Sequence, residues 1–275
     1  MGDFFATRAN YGLILIVDIV AFSAEAESYR AVGMIDALER EVRRFFPIAH
    51  WRYGHPQGER EEGDRPDYSE ARPTFVPTGD GFILTHPWNA YEDVLKRFVE
   101  IRKPLFEAML GLVVHLYKYC AEWKWRGDPA GFGLRAGLHV GYYHRRFDAF
   151  GSENVIGGTI VTAQRVVDRA GRGKHFLVSE TVFDILREDF GLVGDGPTWR
   201  FKGLAKAVKD RCDEWDVPYD RRALGRRQVV HAAKCNKWWD KHDNPHATVS
   251  LYADDVGDAS DLPAGTRPDE APATR

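Results

Sequence analysis

Along the chain, short apolar runs of strand type alternate with longer stretches of helical spacing. Tyr11 to Val20 (YGLILIVDIV) is brief, β-branched and almost wholly apolar, which predicts a strand buried on both faces. Its one charged residue, Asp18, is costly there unless something charged meets it. From Glu25 to Phe46, Ile35, Leu38, Val42 and Phe45/Phe46 recur on one side and Arg and Glu on the other. That spacing predicts an amphipathic helix, closed by Pro47. His50 to Arg72 is polar, with several Gly and Pro and no period, so it reads as a surface excursion. A second short strand is expected at Phe82 to Thr85, straight after Thr78-Gly79-Asp80-Gly81.

Residues 89 to 126 read as helix in two pieces, with Pro104 ending or kinking the first near Lys103. Gly133 to Gly141 (GLRAGLHVG) alternates like a strand, with Leu134, Ala136, Leu138 and Val140 on one face. Thr159 to Ala170 predicts a helix and His175 to Ser179 a strand. Ser179 reads as the N-cap of a further helix carrying Val182, Phe183 and Leu186. A last element ends near Val217. After Pro218 the composition changes: Arg221 to Lys241 is basic and reads as a C-terminal helix, with Trp238-Trp239 available for packing. Residues 253–275 are Asp, Pro, Ala and Gly with little to bury, which predicts disorder. The expected organisation is a domain over 1–218 with a polar insertion at about 50–73, a basic extension over 219–252, and the acidic tail. Strands alternating with helices, but broken by long excursions, fit an α+β sandwich better than a regular doubly wound sheet.

Composition narrows the function classes. With 44% hydrophobic and 29% charged residues, the 275-residue chain is an ordinary globular one. The near balance of 38 Lys+Arg against 41 Asp+Glu argues against a surface built to grip nucleic acid. Cys120, Cys212 and Cys235 are an odd set without CxxC spacing, which speaks for a reducing cytoplasm rather than a disulfide framework. No run approaches the ~20 apolar residues of a membrane helix, and MGDFFATRAN lacks the layout of a signal peptide. The expectation is a cytoplasmic protein with neither a membrane nor a nucleic-acid partner. His231, Cys235, His242 and His246 have ligand-type side chains, but with one Cys among them a basic helix accounts for them better than a Zn²⁺ site.

Three segments in order resemble the class III nucleotidyl cyclase domain. LILIVDIVAFS (13 to 23) is similar to its apolar strand ending in Asp-Ile-x-Gly-Phe-Thr, and PTGDGFIL (77 to 84) to its Gly-Asp hairpin. GLRAGLHVG with NVIGGTIVTAQRV resembles its Arg-x-Gly-x-His-x-Gly strand and the following helix. HFLVSE and FKGLAKAV resemble its closing strands, so the likeness spans roughly 11 to 217. The resemblance implies a ferredoxin-like α+β core, a mostly antiparallel sheet flanked by helices, and a head-to-tail homodimer with composite active sites. It implies cyclisation of a nucleoside triphosphate with two Mg²⁺ or Mn²⁺ per site, held by Asp18, Asp80 and the Ile19 carbonyl. Carboxylate oxygens are what these hard cations prefer, and charge building on attacking and leaving oxygens is what a cation pair offsets.

The same resemblance implies phosphate contacts from the backbone of Ala21, Phe22 and Ser23 and from Lys202 and Lys206, with Gly79 also among the substrate-binding residues. Arg165 falls at the transition-state arginine, where a permanently charged planar fork suits the developing charge. Three departures stand out. Ala21 replaces a usual Gly, and Val161 replaces the ribose-orienting Asn, with Thr162 and Gln164 nearby. The base-reading positions, four residues before Asp80 and seven before Val161, hold Val76 and Asn154. The adenine-type Lys/Asp and guanine-type Glu/Cys pairs are both missing, while an Asn amide has one donor side and one acceptor side for a uracil or cytosine edge. This resembles the bacterial pyrimidine cyclases of Pycsar anti-phage defence, which make cyclic UMP or cyclic CMP for a separately encoded effector, and UTP is the favoured substrate over CTP. The rival expectations are an adenylate or guanylate cyclase, or an inactive cyclase fold that senses a nucleotide.

Overall fold

A computed structural model describes residues 9–20, 22, 28–45, 73–88, 98–149, 151–170, 176–193, 198–201, 228–233, 236–239 and 245–255. In chain order the elements are β1 (Ala9–Ile19), α1 (Tyr29–Phe45), β2 (Thr74–Pro77), β3 (Gly81–Pro87), α2 (Phe98–Ala121), β4 (Lys124–Trp125) and β5 (Asp128–Pro129). They continue with β6 (Leu134–Phe147), β7 (Glu153–Ile156), α3 (Gly158–Asp168), β8 (Phe176–Ser179), α4 (Glu180–Phe190), β9 (Leu192–Val193) and β10 (Thr198–Phe201). The last three are β11 (Gln228–Ala233), β12 (Asn236–Trp239) and β13 (Pro245–Asp255).

One large sheet runs β2-β3-β1-β6-β8-β13-β11-β10-β9, with β7 paired to β6 and β12 to β13. Among the described strands β6 and β8 form a parallel pair, joined by the α3 crossover, and the other ladders are antiparallel. β1 sits between β3 and β6, and its residues Leu13 to Val17 are at most 1% exposed, which is why its sequence shows no alternation. Its odd-numbered side chains, Leu13, Leu15 and Val17, enter the main core with residues of α1, α2 and α4. Ile14 and Ile16 face the other way, into a second core with Tyr143, Val155 and the α3 residues Ala163 and Val167. Asp18 has the parity of Ile14 and Ile16, so it emerges on the α3 side.

Burial reshapes several expectations. α2 runs unbroken through Pro104, because Leu105 to Val113 lie in the core and packing there outweighs one lost backbone hydrogen bond. α1 is less one-sided than its sequence: Glu41 is buried, its Oε2 2.9 Å from His115 Nε2 on α2. β6 continues six residues past Gly141, and β2 and β7 are strands that short, mixed sequences concealed. The C-terminal helix expected over the basic stretch is instead strand: β11 and β12 both pair with β13, and β13 also pairs with β8. β13 reaches Asp255, so the segment expected to be disordered begins as ladder. Its alternating run HATVSLYA carries that strand signal. The insertion at 50–72 and the element expected near Val217 lie outside the described residues. Among the described residues no helix is long and apolar enough to cross a membrane.

Candidate active site

The β1–β3 register sets Asp18 opposite Gly81, so Asp80 stands one residue beyond, at the same rim. The turn into β3 is tied down twice: Ile19 N–H donates to the Asp80 carbonyl at 2.8 Å and Thr78 N–H to the Gly81 carbonyl at 3.1 Å. Gly79 takes φ +89°, a conformation most side chains avoid, and a Cβ on Gly81 would collide with the Val17 carbonyl. Two glycines therefore let the Asp80 turn lie flat against the end of β1. A strand residue's N–H and C=O point to the same edge, so the Ile19 carbonyl also faces this turn.

Asp18 is 4% exposed. Opposite it on β6 stands Arg135, whose Nη2 and Nε lie 3.1 and 3.2 Å from Asp18 Oδ2. From α3 the Gln164 side chain also hydrogen-bonds this carboxylate. Burial and then the Asp80 charge push the Asp18 carboxyl above the usual carboxylate range, and Arg135 and Gln164 offset only part of that. Two carboxylates crowded at a buried rim, with cationic compensation incomplete, are a donor set that fits a divalent cation. Asp18, Asp80 and the Ile19 carbonyl would hold it.

Phe22 packs its side chain against the main core, which leaves its backbone for any phosphate contact. Ala21, Ser23, Lys202 and Lys206 lie outside the described residues. Ser28 caps α1, its Oγ accepting the Ala31 N–H at 3.1 Å. Arg165 lies in the last turn of α3, next to the inward-facing Ala163 and Val166. Val161 is 51% exposed. Of its helix neighbours, the Thr162 hydroxyl donates to the Gly158 carbonyl, and the Gln164 amide donates to Asp168 while reaching Asp18.

The structure brings the two base-reading positions onto neighbouring strands, since β2 and β7 lie against each other. Val76 packs on the apolar cluster beneath α3. Asn154 is half-buried, and its Oδ1 accepts the Val155 N–H at 2.7 Å. Two contributors escaped the sequence as individuals. Arg135 was visible as a lone cation on the α3-facing parity of GLRAGLHVG, yet only the register shows that it meets Asp18. Gln164 carries no sequence signal, because its role depends on how α3 docks. On the same strand as Arg135, His139 Nδ1 lies 2.8 Å from Ser179 Oγ, the cap of α4.

No protein-family model matches the chain, and no curated protein matches it in sequence. Solved structures do. The catalytic core of a rhodopsin-guanylyl cyclase with converted specificity, in complex with ATPαS, superposes with TM-score 0.52 at 14% identity, covering 91% of this chain and all of that one. The adenylyl cyclase CyaB from P. aeruginosa gives 0.51 at 12% identity, over 92% of this chain and all of that one. At such identities the likeness speaks for the fold, and the fold of this chain is that of the class III nucleotidyl cyclase catalytic domain.

Proposed function

We propose that the chain is a metal-dependent nucleotidyl cyclase that converts a pyrimidine nucleoside triphosphate, UTP ahead of CTP, to its 3′,5′-cyclic monophosphate. The observation that carries the cyclase reading is the buried Asp18 beside Asp80 at the β1–β3 rim of this fold. In the reaction the ribose 3′-oxygen attacks the α-phosphorus, the bond to the β-phosphate oxygen breaks, and pyrophosphate leaves. Bound Mg²⁺ or Mn²⁺ supplies charge neutralisation at the attacking and leaving oxygens. Asp18, Asp80 and the Ile19 carbonyl would hold the cations, and Arg165 would meet the charge that develops on the α-phosphate. Gly79, Lys202, Lys206 and the backbone of 21–23 bind the phosphates.

The single chain carries both the metal carboxylates and the arginine, so the simplest assembly is a homodimer in which each site takes its carboxylates from one chain and its arginine from the other. The pyrimidine reading rests on Val76, whose side chain has no polar atom to read a purine edge, and on Asn154 of the adjacent strand β7. The cyclic nucleotide then serves as a cytoplasmic anti-phage signal for a separately encoded effector. The test is to incubate the purified protein with each ribonucleoside triphosphate and Mn²⁺ and identify products by mass. Cyclic UMP or cyclic CMP is expected. Predominant cyclic AMP would remove the pyrimidine reading, and no product at all would favour a nucleotide sensor.

A further inference from the structure

The Asn154 amide is not free to turn. Its oxygen faces the Val155 N–H at 2.7 Å, and a backbone N–H can only donate, so the amide NH₂ is left for a ligand. Arg146 stands directly opposite Asn154 in the β6–β7 ladder and is exposed, and a guanidinium has donors and no acceptor. The carboxylate next to Asn154 in sequence, Glu153, is held by Arg145 at 2.8 Å through Oε1. We infer that Asn154, held in this orientation by the Val155 N–H, is a one-way hydrogen-bond donor that selects bases with a carbonyl at pyrimidine C4 or purine C6 over bases with an amino group at that position.

This inference rests on the base-reading place given to Asn154 under the cyclase reading, and it sharpens that reading. Uracil and guanine present a carbonyl oxygen where cytosine and adenine present an NH₂. A donor facing an NH₂ leaves both groups unpaired, and sites built on a hydrogen bond reject such analogues strongly. With the apolar Val76 nearby, uracil is the favoured carbonyl base.

The experiment compares kcat/KM for all four ribonucleoside triphosphates in the wild type, in Asn154→Asp and in Asn154→Leu. Binding of the four 3′-deoxy triphosphates, which have no attacking oxygen, is measured by calorimetry in parallel. Asp keeps an oxygen for the Val155 N–H but turns an acceptor outward. The wild type is expected to prefer UTP to CTP by at least about tenfold. Asn154→Asp should shift that ratio toward CTP by a similar factor, and Asn154→Leu should bring it near one. A wild type that prefers GTP and UTP together over CTP and ATP would support the donor while ending the pyrimidine-only reading. If nothing is cyclised but 3′-deoxy-UTP binds more tightly than 3′-deoxy-CTP, the donor stands and the cyclase does not. A UTP to CTP ratio unmoved by Asn154→Asp, a wild type that favours CTP or ATP, or no binding of any nucleotide overturns the inference.

Discussion

Burial and then the neighbouring Asp80 charge disfavour the charged form of Asp18. An acid whose folded pKa lies above its unfolded value takes up protons on folding, so the stability it allows is present at low pH and falls as pH rises from the unfolded value of 3.8 through the raised folded one. Above that window the Asp18 carboxyl therefore costs stability in the metal-free protein. Asp18→Asn should raise Tm in chelator by a few degrees, roughly what ~1 kcal/mol is worth in a domain of this size. It should also lower cyclase activity by at least about a hundredfold and abolish the Tm increase that Mn²⁺ gives the wild type. Thermal melts with and without Mn²⁺ check this; an unchanged or lower Tm in chelator would mean that the Arg135 pairing outweighs burial and the Asp80 charge.

At the level of helices and strands, sequence pattern performs well where a local cause operates. Ser179 illustrates it: its hydroxyl accepts the Val182 N–H, as an N-cap should. Ser179→Ala should cost about 1 kcal/mol, read as a lower midpoint in urea with an unchanged slope. If the midpoint holds, the cap contributes nothing to α4. β1, α1, α3 and α4 were legible for the same reason, since apolar spacing or a capping residue announces them. β2 and β7 were not, because four-residue strands acquire their pairing from neighbours distant in sequence. Glu41 was assigned to the solvent side because a helical wheel cannot show that α2 will cover it with His115. At the site, the motif made Asp18 and Asp80 readable, whereas Arg135 and Gln164 depend on strand register and helix docking that no local pattern encodes.

For the whole molecule, two predictions test assembly and completeness. A site shared between chains makes Asp18→Ala and Arg165→Ala each inactive, while mixing them should recover about a quarter of wild-type activity if chains exchange at random, through one intact site per heterodimer. No recovery after verified exchange of subunits would falsify the shared site. The sheet also depends on its C-terminal strands. β13 fills the position between β8 and β11, with Val249 fully buried in the main core. A chain ended at residue 227 should lose cooperative thermal unfolding and aggregate, because β8 would be left with an open edge and a hole beside Val178. Normal melting of that shortened protein would show that the ladder is dispensable.

The place of β13 has a consequence for how the protein is made. A ribosome delivers the chain from its N-terminus at roughly 5–20 residues per second. β1, β3 and β6 can pair as soon as residue 147 has emerged, but the strand that β8 awaits is the last of the described strands to be synthesised. Until then β8 offers its backbone to any strand that passes, including the same segment of a neighbouring nascent chain on one messenger. Pairing so late in synthesis favours exchange of β13 between copies, and a chaperone that shields β8 until release should raise the yield of correctly closed protein.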